Sequence, residues 1–472
     1  MTTLTALGRR PALERDEQRI VVMSSATLLL AALLYAPVGL PGRLILLLAI
    51  VAAGVFEPVA PLIALPAALG LIYHPVLFRS LQFNPAEILL VTACASIGLR
   101  AAAGVIRDRS VVRRFLPAAW ESAKSGFGPI AIAWLALGVL SLFTLVDPAY
   151  RHDSIRDFRW TILEPVIYLF LLRWYLRRPF ERKLTLVSYV VAAALVALYG
   201  LAGLARGHGL DVEGVVRIAG TFPHPNDLAL YLERPVVAGI ALAFCFRSSV
   251  SRWWLVPVIP AGGVLVLTFS RGALVGAAVA AVVIVWLGQR HKLAIAAGGV
   301  CVAGGVALAG VASGRILNLA SGGSGSMRID IWHSALLMIR DHPIFGIGPD
   351  QFLYQYAPRY IAPQAWSERF TSHPHNLILD IWLRLGIMGL VVAVLYVIVL
   401  LRRVRRLIAL ESVVGLAAFA VLLAGTIHGM VDNGYFLPGL ALAFWLCSAL
   451  IDLETGHAGA IEPLAPATRP KY

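Results

Sequence analysis

The sequence predicts an all-α polytopic integral membrane protein with about twelve to fourteen transmembrane helices. Three observations lead there. Of the 472 residues, 59% are apolar and 14% charged, with a mean hydropathy of +0.79, whereas a soluble domain is about half apolar and a quarter charged. The apolar residues come in runs of about 16 to 25, the length of a membrane-crossing helix, not in the alternating segments of about ten that build outer-membrane barrels. Short arginine-rich stretches recur between alternate runs, as in cytoplasmic loops of membrane proteins. A cytosolic enzyme, a secreted disulfide scaffold and a disordered chain are excluded.

The first nineteen residues are polar and basic, with Arg9, Arg10, Arg15 and Arg19, and precede the apolar run Ile20–Tyr35. No small-residue cleavage site leads into a soluble domain, so this run is expected to be an uncleaved first helix behind a cytoplasmic N-terminus, 1–19. Further spans are expected at roughly 43–56, 58–73, 87–105, 127–146, 160–176, 184–204, 228–246, 253–269, 272–288, 293–311, 377–401, 412–431 and 436–451. The domain plan is therefore a helical bundle over 20–311, a large outward loop over 312–376, C-terminal helices over 377–451 and a tail over 452–472. The stretch Glu462–Tyr472 reads as disordered.

The net charge of +14 rests on arginine, since lysine occurs only at Lys124, Lys183, Lys292 and Lys471. Arg107–Arg114, Arg177–Lys183, Arg247–Arg252, Arg290–Lys292 and Arg402–Arg406 fall on one side if spans alternate, which makes that side and both termini cytoplasmic. A GC-rich genome also raises arginine over lysine. Cys94, Cys245, Cys301 and Cys447 all lie inside apolar runs and read as packing residues, with neither a disulfide framework nor a CxxC metal signal.

The outward segments are 147–158, 205–227, the junction at Ser270–Arg271 and the loop 312–376. A loop of about sixty residues is expected to be a folded functional element, with a flexible entry at Ser321–Ser326 and helix from Arg328 to Arg340. These segments hold Arg151, Arg156, Arg159, Arg206, Arg217, Arg271, Arg315, Arg328, Arg340, Arg359 and Arg369, more than orientation bias explains. Arginine at a membrane boundary is costly unless paired, and its planar fork grips phosphate oxygens. An anionic, lipid-borne partner would account for the excess; pairing with Asp147, Asp153, Asp157, Glu164, Asp227 or Asp330 is the competing explanation. His224, His333, His342, His373 and His375 are also outward. A neutral imidazole is suited to activating a sugar hydroxyl, whereas the HPH pair lacks a cysteine or carboxylate at ligand spacing, so no metal is expected.

Four pieces carry a resemblance. HNLILDIWLRLGIMG over 375–389 resembles the signature of bacterial O-antigen ligases and the broader Wzy-C superfamily. Arg217–Phe222 (RIAGTF) running into Pro223–Asp227 (PHPND), Ser270-Arg271-Gly272, and Pro343–Phe352 (PIFGIGPDQF) resemble further family segments, in the family's order. The likeness covers roughly residues 150 to 400. It implies a GT-C-like glycosyltransferase of the bacterial inner membrane, with its active site facing the periplasm. The implied donor is an undecaprenyl-pyrophosphate-linked glycan, and the implied acceptor is lipid A–core. His375 then takes the catalytic-base position, and Arg217 and Arg271 match the family's essential arginines. Arg151, Arg156 and Arg159 are further candidates for substrate binding, with Asn376 beside the base and Asp432 in the turn between the last two spans.

Glycosyl transfer from a diphosphate donor needs an activated acceptor hydroxyl and a stabilised leaving group. No DxD motif occurs in an outward segment, so the arginines are expected to stabilise the pyrophosphate without metal or cofactor, with inversion at the anomeric carbon. Gly386 and Gly389 are expected to let a short helix over His375–Leu385 bend into the following span, or neighbouring helices to approach closely. Trp160, Trp253 and Trp254 read as interfacial anchors. Membrane lipids are expected around a monomer, with no nucleic-acid partner. The same donor chemistry also suits a polysaccharide polymerase or a protein O-oligosaccharyltransferase; a flippase for an anionic lipid would call for internal repeats and midplane polar residues, which the sequence does not display.

Overall fold

The structure, a computed structural model, describes residues 14–212, 214–246, 252–288, 291–293, 295–298 and 324–456. Arg9, Arg10, Arg247, Arg290, Cys301, Arg315, most of the expected span 293–311, the loop entry up to 323 and the tail beyond 456 lie outside the described residues.

The described chain is mostly helical. It runs through α1 (Arg15–Leu33), α2 (Leu40–Phe56), α3 (Val59–Ala68), a hairpin β1–β2 (Val76–Phe78, Leu81–Phe83), α4 (Pro85–Arg107), α5 (Ser110–Lys124) and α6 (Gly128–Ser141). Next come α7 (Arg151–Phe158), continued by a π-turn into α8 (Glu164–Tyr175), then α9 (Pro179–Ala205) and a second hairpin β3–β4 (Leu210–Val212, Val215–Arg217). The remainder is α10 (Pro225–Phe244), α11 (Leu255–Leu267), α12 (Arg271–Leu287), α13 (Ser324–Asp341), α14 (Phe352–Gln355), α15 (Leu377–Ala409), α16 (Val413–Gly429) and α17 (Pro438–Glu454).

Most of these helices coincide with the apolar runs, but their lengths differ from the expectation of a dozen or more full spans. Among the described residues three helices, Pro85–Arg107, Pro179–Ala205 and Leu377–Ala409, are long and apolar enough to cross a membrane. A fourth forms if Phe115–Lys124 and Gly128–Ser141, bent by 87° at their junction, count as one span. Others, such as Arg271–Leu287 and Val413–Gly429, have 17 residues, a rise of about 25 Å against a hydrocarbon core of about 30 Å. The fold class that stands is a helical membrane protein.

α10 and α17 are buried on all sides, as expected for helices apolar around their whole circumference. α10 packs against α16, α12, α11 and α9, and α17 against α8 and α16. α5 lies where only a basic loop was expected: Val112, Leu116 and Trp120, four residues apart, form an exposed apolar stripe along it.

Hydrogen bonds between separate segments define one end of the bundle. Val146 N donates to Ile347 O (3.2 Å), and Ile218 N to Leu267 O (3.5 Å). Asn376 Nδ2 donates to Met430 O (3.0 Å), and the His74 ring meets Thr221 O at 2.9 Å. The other end is closed by buried charge. Asp452 receives Arg403, Arg173 Nε (3.2 Å) and the Phe127 N–H (2.9 Å). Glu454 pairs with Arg182 at 3.2 Å and also accepts from Ser412.

Candidate functional site

The first described end holds the site, and a break in α15 creates it. Gly386 has φ +71°, and a Cβ there would stand 2.0 Å from Ile344 O, so only glycine fits both the left-handed conformation and the close approach. The break leaves helical backbone groups without their usual partners, and the loop after α13 takes them up. Ile387 N donates to Ile344 O (3.2 Å), while Leu383 O accepts from Ile347 N (2.7 Å) and Gly348 N (3.1 Å). The short helix Leu377–Leu385 is thereby locked against residues 344–348. A small core of Ile331, Ala335, Met338, Ile347, Phe352, Tyr356 and Leu383 packs α13 and α14 against it.

At the start of that short helix, Asn376 is the N-cap. Its Oδ1 accepts from Ile378 N (3.0 Å) and Leu379 N (3.1 Å), and its Nδ2 holds the turn after α16. Asn376 is thus committed to positioning the turn. His375, just before it, has φ +51°, a conformation costly for a residue with a Cβ and found where surrounding contacts impose it.

His375 Nδ1 lies 3.0 Å from Asp432 Oδ1. A carboxylate only accepts, so Nδ1 carries the proton and Nε2 of the neutral ring is a free lone pair. Thr371 Oγ1 stands 3.2 Å from that Nε2, marking where a hydroxyl sits when it gives its proton toward the ring. Asp432 is buried. Its Oδ1 also accepts from Asn433 N (2.8 Å), and its Oδ2 faces Arg328 at 3.3 Å. The His373 ring lies against His375 at a tilt of 54°, with centroids 4.2 Å apart, and places Nε2 3.6 Å from Asp432 Oδ1, beyond hydrogen-bond reach.

Burial lowers the His375 pKa below the ordinary histidine value; the nearby His373 and Arg328 add to this, and Asp432 opposes it. The ring is accordingly neutral at pH 7, the form a general base requires. Burial alone would raise the Asp432 carboxyl, but the adjoining His373 and His375 hold it well below the usual range. The carboxylate is therefore charged, and it orients the ring and would stabilise an imidazolium.

Beneath Asp432 a second pair continues inward. His428 Nε2 stands 4.0 Å from Asp432 Oδ2, and His428 Nδ1 lies 2.9 Å from Glu233 Oε2. Glu233 in turn pairs with Arg234 at 3.0 Å, and Arg234 donates to Gly434 O at 3.0 Å. The His428 ring packs against Gly272, where a Cβ would come within 2.5 Å of it. That contact sets the N-terminus of α12, which begins at Arg271, against the ring that stands 4.0 Å from Asp432.

Arg217 ends β4 beside Ile218, whose N–H binds the last carbonyl of α11. The turn after α11 then leads to Arg271 within a few residues. Burial lowers the His224 pKa, with Arg217 adding to the effect and Asp432 opposing it, so all three share one electrostatic neighbourhood. Of the three arginines Arg328 contacts Asp432 directly, Arg217 shares the His224 neighbourhood with it, and Arg271 precedes the glycine that packs on His428. The helix-start arginines divide differently. Arg151 is exposed on the first turn of α7. Arg156 pairs with Asp153 (2.9 Å) and faces Asp350 (3.7 Å), while Arg159 is held between Glu87 and Glu164.

Sequence reasoning named Asp432 on its turn and missed Arg328, His373, His428 and Glu233 as members of the site. The signal for His428 was its spacing of four from Asp432, which puts both on one side of the end of α16. For Glu233 no local signal existed beyond a carboxylate inside an apolar run.

His373, His375 and Asp432 could also hold a cation, since one ligand atom from each lies within 4.8 Å of the others. The carboxylate's second oxygen is turned to the Arg328 guanidinium, whose positive charge works against a metal ion there.

Residues 256–394 match the model of the O-antigen ligase family, Wzy_C. An O-antigen ligase of Pseudomonas aeruginosa is 34% identical over 131 residues, 27% of this chain and 29% of that protein. The chain therefore aligns with less than a third of that relative's length. The resemblance read from the motifs is shown over this stretch, which holds Arg271, Arg328, His373 and His375. Asp432 and Arg217 reach them from outside it.

Proposed function

We propose, from a chain whose residues 256–394 match the O-antigen ligase family, that this protein transfers a glycan from undecaprenyl pyrophosphate to lipid A–core at the periplasmic face of the inner membrane. The observation that carries the reading is the His375–Asp432 pair, a neutral base held by a charged carboxylate, set among arginines at one end of an apolar helical bundle.

In the mechanism, an acceptor sugar hydroxyl takes the place that Thr371 Oγ1 marks and gives its proton to His375 Nε2. Its oxygen attacks the anomeric carbon of the donor sugar as the bond from that carbon to the diphosphate oxygen breaks. The leaving pyrophosphate keeps the electron pair, and Arg217, Arg271 and Arg328 stabilise its charge. Preorganised charge of this kind is usually the largest catalytic term, with about 100-fold or more lost per donor removed. A single displacement inverts the anomeric centre. Asp432 stabilises the imidazolium until the proton leaves to water.

The test is reconstitution of the purified chain with an undecaprenyl-pyrophosphate glycan and lipid A–core. Wild type is expected to form the glycosylated lipid, and His375→Ala is expected to lose the activity, with no effect of a chelator on wild type. Glycan lengthening without transfer would identify a polymerase; lipid movement without either reaction would identify a flippase. Activity abolished by chelator and restored by a divalent cation would overturn the metal-free mechanism.

A further inference from the structure

A cavity of about 370 Å³, lined by both charged and apolar side chains, opens beside His373 and is assigned to no step of the mechanism above. Its walls include Gln82, in the second strand of the first hairpin, with Arg156, Trp160, Asp350, Arg384 and Asn433. The volume falls within the ordinary range of small-ligand pockets, about 300–1,000 Å³. None of Arg217, Arg271 and Arg328 lines it.

Three features describe the ligand it fits. First, charge is balanced within the lining. Arg156 faces Asp350 at 3.7 Å, and Arg384 pairs with Asp157. A diphosphate would meet carboxylates here, whereas an uncharged polyol would find donors and acceptors side by side. Second, the Trp160 indole N–H is buried and makes no hydrogen bond among the described residues. A buried donor without a partner is costly; closed off as it stands, it meets a ligand hydroxyl through a small turn of the ring, which itself lines the wall. Third, the cavity adjoins the base, since His373 forms part of its wall and lies 4.2 Å, ring to ring, from His375.

We infer that this cavity binds the acceptor's neutral sugar residue, with the Trp160 indole N–H and the Gln82 amide holding its hydroxyls so that one of them reaches His375. The assignment rests on the glycosyltransferase reading. It divides the site into an arginine side for the donor diphosphate and a charge-balanced side for the acceptor carbohydrate.

The test uses the full chain in detergent and, as probe, core oligosaccharide released from lipid A. Binding to wild type is measured by calorimetry and compared with Trp160→Phe, which keeps the ring and removes the N–H, and with Gln82→Ala on the exposed hairpin. Each variant is expected to weaken oligosaccharide binding and raise the acceptor KM by about three- to tenfold, the worth of one hydrogen bond, with the donor KM unchanged. Variants that bind the oligosaccharide as wild type does, or that raise the donor KM instead, overturn the assignment. So does wild type that transfers glycan to lipid A–core yet does not bind the oligosaccharide. Wild type that binds the oligosaccharide through Trp160 but transfers nothing supports the saccharide cavity and overturns the ligase reading.

Discussion

His375 Nδ1 and Asp432 Oδ1 lie 3.0 Å apart although 57 residues separate them in the chain. The contact spans the whole of α15 and α16, so the break at Gly386 and the turn after α16 must both be in place before the base has its partner. Asp432 fixes which ring nitrogen is protonated, and hence which one faces the acceptor.

Asp432→Asn tests that relationship. The amide keeps the shape but loses the negative charge, and transfer is expected to fall by about 100-fold or more, the usual worth of an oriented general base. The pH dependence gives the sign. In wild type the His375 pKa already lies below the ordinary value, and activity is lost as pH falls through it. Asp432 raises that pKa through its hydrogen bond and charge, so the acidic limb of the variant's rate–pH profile should move to lower pH. A limb that moves upward, or a rate unchanged, would show that Asp432 does not support the base.

Glu233 and His428 are expected to act as positioning residues. Their 2.9 Å contact holds the ring that stands 4.0 Å from Asp432 and packs on Gly272. Glu233→Gln and Gly272→Ala should each shift the start of α12 and Arg271 with it. The expected outcome is a rise of about tenfold in the donor KM, larger than any rise in the acceptor KM. Equal effects on both substrates would indicate general loss of structure instead.

Much of this was legible in the sequence, for identifiable reasons. The apolar runs located α4, α9, α10 and α15 because lipid-facing and bundle-facing positions are both apolar there, so length alone marks a span. His375, Arg271 and Gly386 stood out through the motif around them. α5 was hidden because Arg113 and Arg114 fall between Val112 and Leu116 in the stripe of Val112, Leu116 and Trp120, and charge was read before periodicity. Arg159 could not be separated from Arg156, because each has a carboxylate nearby in sequence, Glu164 and Asp153, and what distinguishes them is the second partner of each, Glu87 on α4 and Asp350 before α14. Those partners are long-range, and spacing along one helix does not reveal them.

At the opposite end, Asp452 accepts from the Phe127 N–H and pairs with Arg173 and Arg403, with Arg173 and Asp452 themselves inaccessible to solvent. Removing one partner from a buried ionic group leaves charge without compensation, at a cost of about 3–5 kcal/mol. Asp452→Ala should therefore lower the unfolding temperature in detergent markedly. The acceptor and donor KM of the protein that remains folded should be unaffected, because the substituted residue is remote from His375. A KM change without loss of stability would mean that the two ends of the bundle communicate.

Gly386→Ala addresses the break itself. The position has φ +71°, where a side chain is strained, and the added Cβ would stand 2.0 Å from Ile344 O, a backbone atom that cannot rotate aside. The carbonyl of Ile344 accepts the Ile387 N–H, so yielding to the methyl would also open the contact that receives the broken helix. The combined strain and lost hydrogen bond should cost several kcal/mol, above the roughly 1–3 kcal/mol of left-handed strain alone. Continuing α15 as a regular helix would relieve the strain but carry Asn376 away from Met430 O and His375 away from Asp432. Gly386→Ala is thus expected to lose transfer even where folded protein is recovered, whereas Gly389→Ala, inside regular helix, should lose less. Measured transfer and thermal unfolding of the two variants decide this, and an active Gly386→Ala would show that the break does not build the site.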